Sequence, residues 1–314
     1  MKWLDKIKNS NFSYVRNGRY FVIAPIIIFL VALIVFCVHF PGFNLGLDFT
    51  GGAVASIAES ETTTKTALEE TMNSYNIKYT ITEERSTDNG GTNFSIKFNA
   101  GEDNNKILNE LQMTYGTDWK TGESIQAQTS NEKVMAVFWS VLAACVGLMV
   151  YMLFRFKLTA GIATLLALAH DILMICSFMI ICQIEINTSF IAAILTVIAY
   201  SINNSLVVFD RVRDFEKHND ENFTLEQMLN KSINRTLGRC ILTVATTLAT
   251  LLTLTIISVV MNLPTLIQFA LPIIIGLIAG TYSSLFLITP MYHQFERARI
   301  LRKQRKNAKQ INIH

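Results

Sequence analysis

Six long apolar blocks limit what this chain can fold into, because each has the length of a membrane-crossing helix. A helix rises about 1.5 Å per residue, so about 20 apolar residues cross a hydrocarbon layer about 30 Å thick. Only 16% of the residues are charged, against about 25% in soluble domains, and 51% are hydrophobic. We therefore predict a polytopic α-helical membrane protein whose six transmembrane helices occupy residues 20–40, 134–154, 158–184, 188–209, 240–260 and 266–292.

The apolar blocks also divide the chain into regions. Residues 1–19 precede the first helix at 20–40, and a soluble segment follows at 41–133. Residues 134–292 hold the other five helices with a polar loop at 210–239, and residues 293–314 form a basic tail. The first block follows basic residues, as in a signal peptide, but its apolar core is longer than about 15 residues and no A-x-A cleavage pattern follows it. We expect a retained anchor.

The distribution of lysine and arginine predicts the orientation in the membrane. Lysine or arginine occurs in the N-terminal segment, the turn at 155–157, the loop at 210–239 and the tail, whereas the turns at 183–185 and 261–264 contain neither residue. Because basic loops stay in the cytoplasm, both termini should be cytoplasmic and the segment 41–133 extracytoplasmic. Beside a membrane helix, the basic tail is better explained as a contact for anionic lipid than as a nucleic-acid site.

The soluble segment alternates strand and helix patterns. Strand patterns occur at 53–58, 77–81, 94–98 and 124–128, and helical patterns at 62–74 and 102–116. A turn signal, Asp88-Asn89-Gly90-Gly91, separates the second and third strands. The order β-α-β-β-α-β is that of a ferredoxin-like α+β sandwich. The segment contains no histidine and no Ser/His/acid set, so we expect a docking surface and not an enzyme.

The five cysteines give no sign of a metal centre or a disulfide framework. All of them lie in or at the ends of the apolar blocks, and none forms a C-x-x-C pair. We therefore expect no metal site, and small packing residues are the simplest role for these side chains.

An acidic residue inside the third apolar block is the first candidate for function. Asp171 lies about 20 Å into that helix, close to the middle of the membrane, and follows His170. A carboxylate at that depth is costly unless it is protonated, paired or in contact with water. Two interpretations stay open: a hydrogen bond between helices through His170 and Asp171, or a role in ion conduction or coupling.

Two adjacent amides in the fourth block raise a related question. Asn203 and Asn204 precede the charged end of that block, and Tyr200 shares a helix face with Asn204. Amides hydrogen-bond across membrane helices, so simple helix association is one explanation. An asparagine side chain does not titrate, so Asn204 does not itself carry a proton.

Three further patterns concern the last two helices. Arg239 precedes the fifth block, where its side chain either reaches cytoplasmic water or points inward. Gly276, Gly280 and Ser284 form a small-residue stripe that predicts close helix packing. Thr224 and Gln227 fit a capping box that begins a helix with one apolar face, formed by Leu225, Met228, Leu229, Ile233 and Leu237. That helix either lies on the membrane or a partner, or packs as a connector.

Several motifs resemble those of one family. "FNLGLDFTGG" at 43–52 and "YSINNSLVVFDRVRD" at 200–214 resemble signatures of the SecF members of the SecD/SecF family, which is related to the RND exporters. His170-Asp171, "NRTLGRCILT" and "GTYSS" also match that pattern, so the similarity covers nearly the whole chain. Outside the candidate ion path, the matching motif residues are Gly46, Asp48, Phe49, Thr50, Gly51, Gly52, Asp210 and Arg211.

The resemblance implies an RND-like half bundle whose other half is SecD, in a bacterial cytoplasmic membrane. It implies assistance to polypeptide export through SecYEG after SecA has pushed the unfolded preprotein, with YajC as a further candidate partner. The energy would come from a proton or sodium gradient, with no other cofactor. The other possibilities are half of an RND-type small-molecule or lipid exporter, for which this external segment is small, and a passive scaffold that stabilises SecD.

The match is incomplete at the position where the resemblance implies ion conduction. Tyr200, Ser201 and Asn203 fit the motif, and Arg239 matches an arginine implicated in the ion path, but Asn204 replaces the acid assigned to proton conduction. Three mechanisms follow: an acid of SecD carries the coupling while Asn204 and Arg239 line the path, oxygen ligands form a sodium path, or the subunit is passive. The oxygen ligands would be Ser201, Asn203, Asn204 and Ser205. In the first mechanism, Asp171 is the candidate for a second titrating group.

Overall fold

The computed structural model describes residues 12–38, 44–85, 91–99, 101–125, 127–217 and 223–311. Among them are six helices long and apolar enough to cross a membrane, as predicted. We call them spans 1 to 6. Their bounds are Gly18–Val38, Ala127–Arg155 with its apolar part at Val134–Met152, Leu158–Cys182, Thr188–Lys217, Leu225–Val260 and Pro264–Arg305.

Spans 4 and 5 extend well beyond their apolar blocks. The segment 210–239, predicted as a loop that contains a helix after Thr224, is helical to Lys217 and again from Leu225, and residues 218–222 lie outside the described part of the chain. The capping box of Thr224 and Gln227 is present and begins span 5. Leu229 and Ile233 are buried against the bundle, so this extension is a packed connector.

The centre of the bundle is formed by spans 3, 4 and 6. In their most apolar windows 39%, 44% and 61% of residues are buried, against 11%, 6% and 17% in spans 1, 2 and 5. Span 6 approaches span 4 closely, because a Cβ at Gly276 would lie 2.3 Å from the Val197 side chain. The faces that spans 1, 2 and 5 leave exposed are therefore available to lipid or to a partner.

Residues 52–125 form an α+β domain between spans 1 and 2. In chain order it contains β1 (Gly52–Ala58), α1 (Lys65–Ser74), β2 (Tyr79–Arg85), β3 (Thr92–Phe98), α2 (Asn104–Thr114) and β4 (Trp119–Ile125). The sheet is antiparallel with the order β2-β3-β1-β4, which confirms the ferredoxin-like topology. Its core includes Ile57, Leu68, Met72, Ile96, Phe98 and Leu111, all at most 1% exposed.

Two local predictions in this domain need comment. The last strand was expected at 124–128, but β4 ends at Ile125 and span 2 begins at Ala127. Pairing with β1 fixes this register, since Trp119 lies opposite Ile57 and Ile125 opposite Gly52. Of the predicted hairpin turn, Asp88, Asn89 and Gly90 lie outside the described residues.

Candidate functional site

A buried polar cluster lies between spans 3, 4 and 6. Asp171 of span 3 is 1% exposed, and its Oδ2 accepts a hydrogen bond of 2.6 Å from the Ser201 hydroxyl of span 4. Its Oδ1 lies 3.0 Å from Nδ1 of the neighbouring His170. Gly280 of span 6 packs against this pair, because a Cβ there would lie 3.2 Å from the Ser201 Cβ, a tight contact, and 3.4 Å from Asp171 Oδ2. The carboxylate is thus held by groups from two helices.

Hydroxyl groups extend the cluster from span 4 to span 6. The Ser205 hydroxyl donates to the carbonyl oxygen of Ser201 at 2.9 Å and lies 3.2 Å from the Ser284 hydroxyl. Ser284 in turn donates to the same carbonyl at 3.3 Å. It belongs to a π-helical turn, Ser283–Leu287, and such turns occur frequently at functional sites. From the sequence we expected only a packing role for Ser284.

The oxygen atoms of this cluster suit either a proton or an alkali cation. One carboxylate and several hydroxyl and carbonyl oxygens are hard ligands, and the same groups hydrogen-bond a protonated acid. Within the described residues, no three His, Cys, Asp or Glu side chains group as they would around a metal ion. Nε2 of His170 is buried without a partner in that same part of the chain, and the Phe29 ring of span 1 lies edge-on to the imidazole at 5.9 Å.

The two adjacent asparagines separate in space. Asn204 is 3% exposed and lies on the helix face of Ser201 and Ser205, whereas Asn203 is exposed. At about 100° per residue, Asn204 lies about 60° from Ser201 around the helix axis and Asn203 about 160° from it, which accounts for the difference. Asn204 therefore borders the buried cluster, and Asn203 does not.

Asn203 instead lines a groove between spans 4 and 5. The groove has a volume of about 380 Å³ and is polar, with Asn203, Asp210, Arg211, Asp214, Arg235, Thr236 and Arg239 along it. Tyr200 also faces span 5, where the Thr247 hydroxyl donates to its phenol oxygen at 3.4 Å. The residues predicted for the ion path thus occupy two places: His170, Asp171, Ser201 and Asn204 in or beside the buried cluster, and Tyr200, Asn203 and Arg239 on the span 5 side.

The residues of the 43–52 motif join the α+β domain to the turn between spans 3 and 4. The Gly46 amide donates to the Ile186 carbonyl, and the Ile186 amide to the Asn44 carbonyl, both at 2.8 Å. Asp48 accepts hydrogen bonds from the Thr188 amide at 2.9 Å and from its hydroxyl at 2.7 Å. Thr188 begins span 4, so Asp48 caps that helix, and its negative charge suits the helix N-terminus.

Comparison with known protein families assigns the chain. Residues 106–298 match the family model described as protein export membrane protein SecD/SecF, C-terminal, and residues 39–57 match the SecD/SecF GG motif. The chain belongs to the SecD/SecF family. Asp171, the 200–214 motif and the π-helical turn of span 6 all fall within the first match, and the capping Asp48 falls within the second.

Individual relatives agree with this family. The protein translocase subunit SecF of Sebaldella termitidis is 29% identical over 285 residues, which cover 90% of this chain and 91% of the relative. SecF of Rickettsia bellii is 30% identical over 258 residues, covering 79% and 82%. These relatives are named as translocase subunits, a transport component and not an enzyme.

Solved SecDF structures share the fold. The crystal structure of SecDF from Thermus thermophilus matches with a TM-score of 0.74 and 26% identity, over 92% of this chain and 39% of that one. SecDF in its super-membrane-facing form matches with a TM-score of 0.66 and 27% identity, over 95% and 40%. The chain therefore spans about two fifths of the length of these SecDF chains.

In this SecD/SecF chain, a second set of polar contacts attaches the domain to the spans. Lys97 of β3 forms an ion pair of 2.8 Å with Glu185, and Gln268 of span 6 donates to the same carboxylate at 3.1 Å. Asn187 donates to Gln268 at 2.6 Å, which links the starts of spans 4 and 6. The turn between spans 5 and 6 also touches the domain, through a hydrogen bond from Asn262 to the Glu83 carbonyl.

Proposed function

We propose that this multi-pass SecF-family subunit assists polypeptide export by coupling an ion gradient to movement of its α+β domain. The observation that carries the proposal is one continuous connection. Asp171 is buried in the bundle and bonded to Ser201 of span 4, and the first residue of span 4 is capped by Asp48 of the GG motif. The domain begins four residues later, at Gly52.

The first step of the mechanism is a change of charge at Asp171. A carboxylate in the hydrocarbon layer needs a proton, a cation or hydrogen-bond donors, because burial of the bare charge is costly. The Ser201 hydroxyl is such a donor, since it donates to the Asp171 side chain. Uptake of a proton, or of Na⁺ by the cluster oxygens, neutralises the charge of Asp171, so that the side chain no longer depends on its hydrogen-bond donors. This change alters how spans 3, 4 and 6 pack.

The second step is transmission along span 4. Thirteen residues separate Thr188 from Ser201, about 20 Å of helix. Because this part of span 4 is one continuous helix, a displacement at Ser201 is transmitted to the Asp48 cap and to the Gly46–Ile186 hydrogen bond. The domain follows, since the GG motif leads directly into β1.

The partners are proposed from the SecDF structures and the family resemblance. The chain spans about two fifths of each SecDF chain, so we propose that SecD supplies the remaining half of the bundle. The groove with Asn203 and Arg239 would face SecD. An acid of SecD would carry the proton that Asn204, buried on another face of span 4, does not. SecYEG, SecA-driven preprotein and YajC are proposed on the family resemblance. The cytoplasmic-membrane location, with both termini inside, is proposed on the basic segments.

The test is preprotein translocation into vesicles that contain this protein, SecD and SecYEG, with SecA and ATP supplied. Translocation is measured without a gradient and with an imposed H⁺ or Na⁺ gradient. We expect one ion to stimulate the natural protein, and Asp171→Asn to remove the stimulation but leave the ATP-driven rate. The control is Ser177→Ala, which removes another buried hydroxyl of span 3; among the described residues, that hydroxyl bonds within its own helix, to the Leu173 carbonyl. Full stimulation in Asp171→Asn would refute the role of Asp171.

The same vesicles decide whether the subunit is passive. If Asn204→Asp responds to a gradient and the natural protein does not, the natural subunit is a scaffold for SecD. If neither SecD nor SecYEG copurifies with the protein, the translocase role is refuted and the RND-type exporter becomes the favoured alternative.

A further inference from the structure

A second cavity lies at the other end of spans 3 and 4, away from the α+β domain. It has a volume of about 430 Å³ and is formed by the turn between spans 2 and 3, the end of span 4 and the end of span 6. Its apolar wall is aromatic: Phe209 lies 6.0 Å from Phe156 and 5.3 Å from Tyr292, measured between ring centroids. This cavity shares no residue with the buried cluster or with the groove of Asn203.

The rim of the cavity is cationic. Arg155, Lys157, Arg213 and Lys217 line it, with Glu216 as the one acid among the lining residues. Arg155 is paired with Asp210 at 3.2 Å and Lys157 with Glu216 at 2.7 Å. Arg213 donates to the Arg155 carbonyl at 3.4 Å, and no carboxylate of the described residues lies within ion-pair distance of Arg213 or Lys217. Two positive charges are thus left without an acidic partner in that part of the chain.

The position of the cavity relative to the membrane determines which kind of anion can reach it. Arg155 ends span 2 and Leu158 begins span 3, so the rim lies where the apolar spans meet the headgroup layer. The apolar neighbours of the rim point outward: Phe154 is 89% exposed and Leu158 is 55% exposed. An exposed apolar strip therefore leads from the charged rim into the hydrocarbon layer. A ligand that fits has a negative headgroup and acyl chains.

We propose that this cavity binds the headgroup of an anionic phospholipid from the surrounding bilayer. Arg213 and Lys217 hold the phosphate, the aromatic wall contacts the glycerol region, and the acyl chains follow Phe154 and Leu158. This site is separate from the basic tail and independent of the proposed export mechanism.

The experiment measures retention of phosphatidylglycerol by the purified full-length protein, using native mass spectrometry in detergent. We expect one tightly retained molecule per chain and about tenfold weaker retention in Arg213→Gln/Lys217→Gln, since each basic side chain near a membrane surface contributes appreciably to binding anionic lipid. Arg213→Lys/Lys217→Arg keeps both charges and should retain the lipid. Arg302→Gln/Lys303→Gln removes two exposed tail charges and should also retain it.

Competing ligands distinguish the sources of the phosphate. Phosphatidylcholine and inorganic phosphate, each at the same concentration, should not displace phosphatidylglycerol. Displacement by inorganic phosphate would show a site for soluble anions and overturn the proposal. Equal retention by the cavity variant and the tail variant would also overturn it, because the cavity charges would then contribute nothing specific. Circular dichroism of each variant verifies that the helical fold is intact.

Discussion

The backbone of Gly52 explains why the GG motif has a glycine at this position. Its φ is +142°, a conformation that side chains with a Cβ rarely adopt. A Cβ there would lie 2.6 Å from both the Leu47 side chain and the Phe98 carbonyl oxygen. The motif therefore needs glycine both for its backbone conformation and for the close approach of β3.

Replacement of this glycine should weaken the domain. We expect Gly52→Ala to lower the free energy of unfolding of the domain by about 2–4 kcal/mol, from backbone strain together with overpacking. The control is Gly91→Ala, because a Cβ at Gly91 meets no atom of the described residues within 4 Å, and its effect should stay within about 0.5 kcal/mol. Chemical denaturation of the two variants gives the comparison. Equal stabilities would show that Gly52 is not required sterically.

At the residue scale, composition and spacing predicted some residues of the candidate site and gave no sign of the contacts of others. Asp171 is recognisable from the sequence because an acid in an apolar block is costly wherever it points. The separate directions of Asn203 and Asn204 follow from helical geometry alone. Ser284 was assigned only to packing, since a serine in a small-residue stripe carries no sign of which hydroxyls it will meet. The position of Arg239 in the outer groove depends on how spans 4 and 5 pack.

At the element scale, the Asp118 carboxylate links two connecting segments at one end of the sheet, the one before β4 and the one before α1. Asp118 precedes β4 and accepts hydrogen bonds from Thr63 at 2.6 Å and Ser60 at 2.7 Å, in the segment before α1. These hydrogen bonds, Thr63 first, and the nearby Lys120 lower the pKa of Asp118 below its usual value of 3.8, and partial desolvation opposes them. The folded domain therefore favours the ionised form.

This arrangement predicts an acid-dependent loss of stability. Because the folded pKa is lowered, the contribution of Asp118 is complete above its usual value of 3.8 and is lost as the pH falls through the lowered value. Asp118→Asn should unfold more easily near neutral pH and lose less stability in acid. The control is Gly91→Ala, which leaves Asp118 and its hydrogen-bond partners intact and should keep the natural pH dependence. Fluorescence of Trp119, after replacement of Trp3 and Trp139, reports domain unfolding; identical pH profiles in all three proteins would contradict the prediction.

The elements themselves were largely predictable, and their ends were not. Apolar length determined six spans, and alternation determined a ferredoxin-like order, because both patterns reflect burial directly. The helix that begins at Leu225 was predicted from its capping box and apolar face, but its unbroken continuation into span 5 was not, since the sequence pattern does not show whether a polar helix is continuous with the apolar one. The shift of β4 to Trp119–Ile125 reflects pairing with β1, which a single strand pattern does not contain.

At the scale of the whole molecule, the domain is attached to the bundle by contacts of different strength. The Lys97–Glu185 pair is half-buried, with side chains 29% and 21% exposed, and Gln268 supports the carboxylate. The Lys65–Glu83 pair lies within the domain, is 3.3 Å long and has side chains 48% and 50% exposed. Solvent screens the second pair more strongly, so the two form a matched comparison.

A double-mutant cycle separates these pairs. We expect Lys97→Met, Glu185→Gln and the double variant to show a coupling free energy of about 1 kcal/mol, because the pair is partly shielded from water. The corresponding cycle with Lys65→Met and Glu83→Gln should give a coupling close to zero. Denaturant unfolding of the full-length protein measures both. A coupling at Lys97–Glu185 no larger than that at Lys65–Glu83 would show that this contact does not hold the domain on the spans.

The central claim is that the state of Asp171 reaches the domain through span 4, and amide hydrogen exchange tests it most directly. The amides of Gly46, Ile186 and Thr188 are each hydrogen-bonded across the junction. In the membrane-embedded protein, Asp171→Asn, which mimics the neutral acid, should change exchange in peptides covering 44–50 and 184–190, whereas Ser177→Ala should not. Unchanged exchange at the junction in Asp171→Asn would contradict the account, because the cluster would then be isolated from the domain.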